Sequence, residues 1–319
     1  MPAAIAYGWA KRQTPAAPPP RYAASLVYDS TAGVAVLFGG IGVDARLNDT
    51  WTWDGSTWLE RQQSVVPPPR SGASLVYDAG RQELVLFGGT DARGLPLGDT
   101  WTWDGTGWTE RQPATSPPAR SDASVAYDAG TQTVVLFGGA TVQKRAGLPG
   151  LTFYNDLWLW NGTTWTQSQT SSAPSARSGA SMVYDPPRRN VVLFGGESGS
   201  QRDDTWAWDG TAWAQRQPAA TPPARAYASM AYDERLQAVV MFGGVDIAGL
   251  TDTWTWDGAM WTELQVVTPP TGGVGASLVY DAGRRSTVLL LASATTKKAV
   301  APAGGYVQRP LVRTETWTA

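Results

Sequence analysis

Proton transfer in this 319-residue chain falls to Asp, Glu, Tyr, Lys and Arg, because the sequence contains no His and no Cys. Their absence removes Ser-His-Asp and Cys-His nucleophiles, His or thiolate metal sites, haem and iron–sulfur ligation through those groups, and every disulfide. What remains is carboxylate and phenol acid–base chemistry, with arginine to hold substrate charge. The candidates are Asp122 and Glu197 as bases, Tyr22 and Tyr227 as acids, and Arg120 or Arg177 as the anchor of a charged substrate. Asp122, two residues after Arg120, is expected to point inward. Other acidic residues of the same region, Asp44, Asp91, Asp203 and Asp246, lack the spacing of a calcium loop, so neither a metal nor a cofactor is expected.

Arg120 and Arg177 belong to a longer series. Arg21, Arg70, Arg120, Arg177 and Arg225 recur at spacings of 49, 50, 57 and 48 residues. Each is followed by an apolar run ending in Tyr-Asp, such as Tyr28-Asp29, and by a second run ending in Phe-Gly-Gly at Phe38, Phe87, Phe137, Phe194 and Phe242. After a variable loop comes a segment such as Asp49-Thr50-Trp51-Thr52-Trp53-Asp54-Gly55, then a third Trp such as Trp58. Four short β-rich runs divided by turn residues make one four-stranded unit, and repetition near fifty residues makes a propeller. Trp51 and Trp53 share one strand face, and Asp54-Gly55 suits a two-residue type I′ turn. That turn would set Trp51 opposite Trp58, with equivalents Trp101/Trp108, Trp158/Trp165, Trp206/Trp213 and Trp254/Trp261, each contributing roughly 0.2–1 kcal/mol.

A sixth unit begins near Gly273 and ends at Trp317-Thr318-Ala319 without a last strand. Tyr7-Gly8-Trp9-Ala10-Lys11-Arg12-Gln13 matches the missing strand and would place Trp9 opposite Trp317. Pairing the two ends in one blade closes the ring. The sequence therefore reads as all-β, one six-bladed propeller over residues 1–319. Its blades fall at about 15–62, 63–112, 113–167, 168–217, 218–265 and 266–319 plus 5–13. These motifs resemble the bacterial kelch repeat, the galactose-oxidase-like type with a double glycine after the second strand and a Trp-rich third strand. Such repeats often carry His three residues after the Arg, where this chain has Ala24, Ala73, Ala123, Ala180, Ala228 and Ala276. The sixth unit also lacks the Arg and the Phe-Gly-Gly. Copper oxidation of the galactose oxidase kind, which the resemblance brings to mind, needs His and Cys and is excluded.

Alternating strands put the Arg, the loop after Gly-Gly and the Asp of the third strand on one face, where the variable loops make function most expected. The five Arg there either ring the channel mouth as ligand contacts or pair with Asp49, Asp99, Asp156, Asp204 and Asp252. Tyr22 and Tyr227, in blades one and five, flank the blade that lacks Arg, which suggests a recess lined by them and Gly273 with Arg21 and Arg225 at its sides. The loops of blades three and six are longest and would face each other as lids over residues 140–155 and 293–314. The first carries Lys144, Arg145, Leu148, Leu151, Phe153 and Tyr154, and the second Lys297, Lys298, Tyr306, Arg309 and Arg313.

A formal charge of −2 with 16% charged residues provides no footprint for nucleic acid or an anionic membrane. The first expectation is a monomeric, non-catalytic binding module for a small anionic molecule, a glycan or a peptide. A second is a metal-independent isomerase, epimerase, lyase or cyclase, and a third is a bare or engineered scaffold. The chain is expected to be cytoplasmic as it stands, or exported if a signal has been removed.

Overall fold

The computed structural model describes residues 7–145, 148–246, 249–266, 269–270, 275–300 and 306–319, the side chains of 143–149 and 292–313 excepted. Blade one comprises β2 (Ser25–Asp29), β3 (Val34–Ile41), β4 (Arg46–Trp53) and β5 (Trp58–Arg61) in antiparallel order from the axis outward. Four further blades repeat this order, starting from Ser74–Asp78, Ser124–Asp128, Ser181–Asp185 and Ser229–Asp233. The sixth combines Ser277–Asp281, Ser286–Val300 and Tyr306–Thr318 with β1 (Ala10–Arg12), so the N-terminal strand completes the last blade. Each innermost strand packs against those of both neighbours, blade six against blade one included, and the ring is closed.

The second strands are apolar on both faces because each face meets a different blade. Val36 and Phe38 join Leu75, Leu84 and Leu86 of blade two, whereas Ala35 and Leu37 join Val279, Val288 and Leu290 of blade six. Six such clusters fill the six interfaces, so the core is divided among the seams rather than centred. The outer Trp stitches the same seams. Trp108 Nε1 donates to Thr50 Oγ1 of the preceding blade at 2.9 Å, and Trp58, Trp165 and Trp261 donate likewise to Thr316, Thr100 and Thr205. Trp213 Nε1 has no acceptor, because blade three carries Leu157 where the others carry Thr.

The tryptophan register differs from the sequence expectation. Trp53 lies opposite Trp58 and Trp51 opposite Glu60, and the other blades pair Trp103/Trp108, Trp160/Trp165, Trp208/Trp213 and Trp256/Trp261. The turn spans four residues, Asp54–Thr57, because the Asp54 carboxylate accepts the amides of Ser56 and Thr57 and holds the chain in a wider loop. In the closing blade Lys11 lies opposite Trp317 for the same reason of register, and Trp9 packs with Ala319.

Each of the five Arg is turned into its own blade and is at most 3% exposed. Arg70 donates from Nη1 to Asp99 Oδ1 at 2.7 Å and from Nη2 to Asp99 Oδ2 at 2.6 Å. It also donates from Nη1 to the Gly88 carbonyl and from Nε to the Pro68 carbonyl. Arg21/Asp49, Arg120/Asp156, Arg177/Asp204 and Arg225/Asp252 repeat this pair at 2.5–2.9 Å. The indole of Trp101 donates to Asp99 as well, which accounts for the Asp-x-Trp spacing. Meanwhile the backbone of Arg70 belongs to the preceding blade, donating to Leu47 O and accepting from Gly40 N. A Cβ on Gly39 would come within 2.8 Å of the Arg70 carbonyl, so that seam requires glycine.

Desolvation alone would raise Asp99, Asp156, Asp204 and Asp252, but the hydrogen bonds and charge of their Arg partners prevail and hold all four below the usual carboxylate range. A lowered folded pKa stabilises the fold above the ordinary Asp value of 3.8, and that contribution is lost as pH falls through the lowered values. The thermal midpoint followed by circular dichroism should therefore hold steady down to about pH 4 and drop below it. Removing one guanidinium leaves a partly buried carboxylate alone, so Arg70→Met should cost roughly 3 kcal/mol in urea unfolding, with part regained in Arg70→Met/Asp99→Asn.

Candidate functional site

The bore opens on the Arg face into a cavity of about 620 Å³. All six alanines that follow the Arg positions, Ala24, Ala73, Ala123, Ala180, Ala228 and Ala276, line it. Side chains ending at Cβ leave the bore open, and their Cβ atoms abut the second glycine of each pair, as Ala24 does Gly40. None of Arg21, Arg70, Arg120, Arg177 or Arg225 reaches the cavity, since their guanidinium groups are held inside the blades. Among the described residues its charged lining is Arg46, Asp122 and Glu197, and its phenols are Tyr22 and Tyr227.

One position per blade builds the mouth. Ala23, Gly72, Asp122, Gly179, Tyr227 and Gly275 are equivalent, and all six have left-handed φ between 53° and 70°. Their backbones link the blades in sequence: Gly72 N donates to Ala23 O, Asp122 N to Gly72 O, Gly179 N to Asp122 O and Tyr227 N to Gly179 O, at 2.7–3.0 Å. Glycine adopts this conformation freely, whereas Ala23, Asp122 and Tyr227 hold it at a cost of about 1–2 kcal/mol each. The alternation of glycine with larger residues is steric. Asp122 lies across Gly72, where a Cβ would be 2.5 Å from its Oδ1, and the Tyr227 ring lies across Gly179, where a Cβ would be 2.8 Å away.

This arrangement corrects the recess expected beside blade six. Tyr227 occupies the position of Asp122, one residue further along than Tyr22, and it leans toward blade four, where its hydroxyl donates to Glu197 Oε1 at 3.3 Å. Gly273 lies outside the described residues, and Gly275 lines the cavity there. Asp44, Asp91, Asp203 and Asp246 do not contribute to the lining. The loop of blade three is a hairpin of Ala140–Arg145 and Leu148–Phe153, and blade six extends as the long hairpin Ser286–Val300 and Tyr306–Thr318. The side chains of Lys144, Arg145, Leu148, Lys297, Lys298, Tyr306, Arg309 and Arg313 lie outside the described set. Leu151 is exposed, and Tyr154 stacks its ring 3.9 Å from the Arg120 guanidinium carbon.

Asp122 is the anomalous acid. Desolvation raises its pKa, the Ser121 hydroxyl at 2.8 Å opposes that, and the charge of Glu197 raises it further. Burial also raises Tyr227, and both carboxylates add to the effect, so its hydroxyl stays protonated and donates. Together the three side chains offer a reluctant carboxylate, a second carboxylate and a neutral phenol on one side of the bore. Arg46, whose Nε donates to Ser71 Oγ at 3.0 Å, was not among the sequence candidates. It lies outside the repeating motif, at the start of β4, where its cross-strand pairing with Ile41 brings it to the lining.

No protein-family model matches the chain, and no curated protein matches it.

A raised folded pKa means that ionised Asp122 opposes folding at pH values above that pKa, and that its protonation relieves the penalty as pH falls. Asp122→Asn should therefore be more stable than the parent at pH 7, a gap that narrows toward pH 4. Urea unfolding at the two pH values measures it, and asparagine tolerates the same left-handed backbone.

Proposed function

We propose that the protein is a binding module whose site is the axial cavity, and that its ligand is a small polar molecule. The observation that carries this reading is the bore itself: about 620 Å³, lined by a wall of alanines and bearing Arg46, Asp122, Glu197, Tyr22 and Tyr227 at its mouth. That size suits a small ligand, and a few convergent polar groups on an otherwise plain wall are how such sites gain specificity. Three non-glycine residues in a left-handed ring support it further, because local strain of this kind gathers at functional positions. The repeating Arg, Gly-Gly and Asp-x-Trp motifs support assignment to kelch-type propellers as part of the same proposal.

Anion recognition through the repeated Arg ring has no support in the geometry, since those groups face Asp partners; among the described residues Arg46 is the cation that lines the cavity. A second reading, acid–base catalysis, is favoured by one observation. Asp122 is desolvated and raised beside Glu197 and Tyr227, as a general base and its partners would be.

Thermal shift against amino acids, neutral monosaccharides, dicarboxylates and phosphate monoesters should give at least one stabilising class. Binding at 100 times the dissociation constant contributes about 2.7 kcal/mol. Tyr227→Phe should weaken that shift without lowering the unliganded midpoint. Absence of any shift, with capture of a peptide instead, would overturn the cavity reading. Turnover of a hit followed by NMR, abolished in Asp122→Asn while binding persists, would select the catalytic reading.

A further inference from the structure

The charges lining the bore are segregated. Asp122 and Glu197 belong to blades three and four, and the Tyr227 hydroxyl that binds Glu197 lies with them. Arg46 belongs to blade one. It pairs across the strands with Ile41, the first residue after Gly39-Gly40, and Glu197 is the first residue after Gly195-Gly196 of blade four. Blades one and four face each other in a ring of six, so Arg46 and Glu197 start from opposite sides of the mouth, Arg46 leaning onto Ser71 of blade two, beside the Gly72 across which Asp122 lies.

Neither side is neutralised by an ion pair among the described residues. Among the described residues Arg46 forms no ion pair, and its one side-chain hydrogen bond, to Ser71, uses Nε. On the far side the carboxylates repel each other, Ser121 supplies the hydrogen bond to Asp122, and Arg46 is not among the charges that act on Asp122. An anionic ligand alone would meet two carboxylates across the bore, and a cationic one alone would leave Arg46 unanswered. A molecule with both charges, one at each end, satisfies both walls and enters without net charge, so its own desolvation is offset at each end.

We propose that the cavity takes a small zwitterion, with its ammonium group between Asp122 and Glu197 and its carboxylate or other anionic group on the Arg46 Nη atoms. Tyr22, 45% exposed, and Tyr227, 37% exposed, line the same cavity and offer apolar ring surface beside the linking carbons. The Tyr227 hydroxyl holds Glu197 in place, and the width of the bore selects the separation of the two charges. This inference rests on the cavity being the binding site and adds the chemical class of what fills it.

The test is a thermal-shift and calorimetric series on the full chain with glycine, β-alanine, 4-aminobutyrate, 5-aminopentanoate and 6-aminohexanoate. Butylamine, pentanoate and a neutral monosaccharide set serve as controls. The expected result is a midpoint rise of several degrees that peaks at one chain length, with the amine and the acid at least tenfold weaker than the matching ω-amino acid. Arg46→Gln and Asp122→Asn should each remove most of that affinity, the first keeping the unliganded midpoint and the second raising it, since neither residue belongs to the Arg–Asp pairs of the blades. Equal binding by butylamine or pentanoate, or binding by monosaccharides alone, would overturn the zwitterion and leave the cavity reading standing. No binding by any probe would bring down both. Binding of an ω-amino acid unchanged in both variants would also overturn the proposal, because it would place the ligand elsewhere.

Discussion

An arginine that belongs to two blades at once, repeated in five of the six, organises this ring. Its backbone is hydrogen-bonded to the preceding blade, and its side chain is closed on a carboxylate of its own. The constraint propagates outward. The carbonyl of the Arg must approach the preceding Gly-Gly closely enough to forbid a Cβ, and the carboxylate must accept an indole N–H as well as the guanidinium. Phe-Gly-Gly and Asp-x-Trp are therefore consequences of one ion pair, repeated five times. Burial between blades then provides the non-directional part of the stability, seam by seam.

Because these ion pairs consume the repeated positive charge, the electrostatics of the bore are left to residues that break the repeat. Arg46, Asp122, Glu197 and Tyr227 have no counterpart of the same type in the other blades, and they are what gives an otherwise uniform alanine tube a direction. The frame is regular so that it can hold, and the lining is irregular so that it can discriminate.

The regular part was legible in the sequence because repetition samples the same physics several times. Six blades, the Arg–Asp alternative and closure by the segment 5–13, where the structure has Ala10–Arg12, follow from motif spacing. Finer geometry was not legible. Asp54-Gly55 looks like a two-residue turn, but an aspartate that captures two amides widens it to four and shifts every Trp pair by two residues. Tyr227 was placed with Tyr22 because both follow an Arg closely; one residue of offset moves it to the left-handed ring and from blade six toward blade four. Arg46 carries no motif, and its role depends on a cross-strand pairing at the start of β4, which sequence spacing does not reveal.

The left-handed ring also bears on how such a mouth can diversify. The Asp122 and Tyr227 side chains lie over Gly72 and Gly179, so larger residues alternate with glycine around the ring, now Ala23, Asp122 and Tyr227. The backbone strain at those three sites is borne already, and it changes little with which L side chain stands there. A change of occupant can therefore alter ligand preference without renegotiating the frame, while a substitution at Gly72 or Gly179 collides with its neighbour. In heritable terms the mouth is a three-letter word written on a six-fold support, open to spelling changes at alternate places.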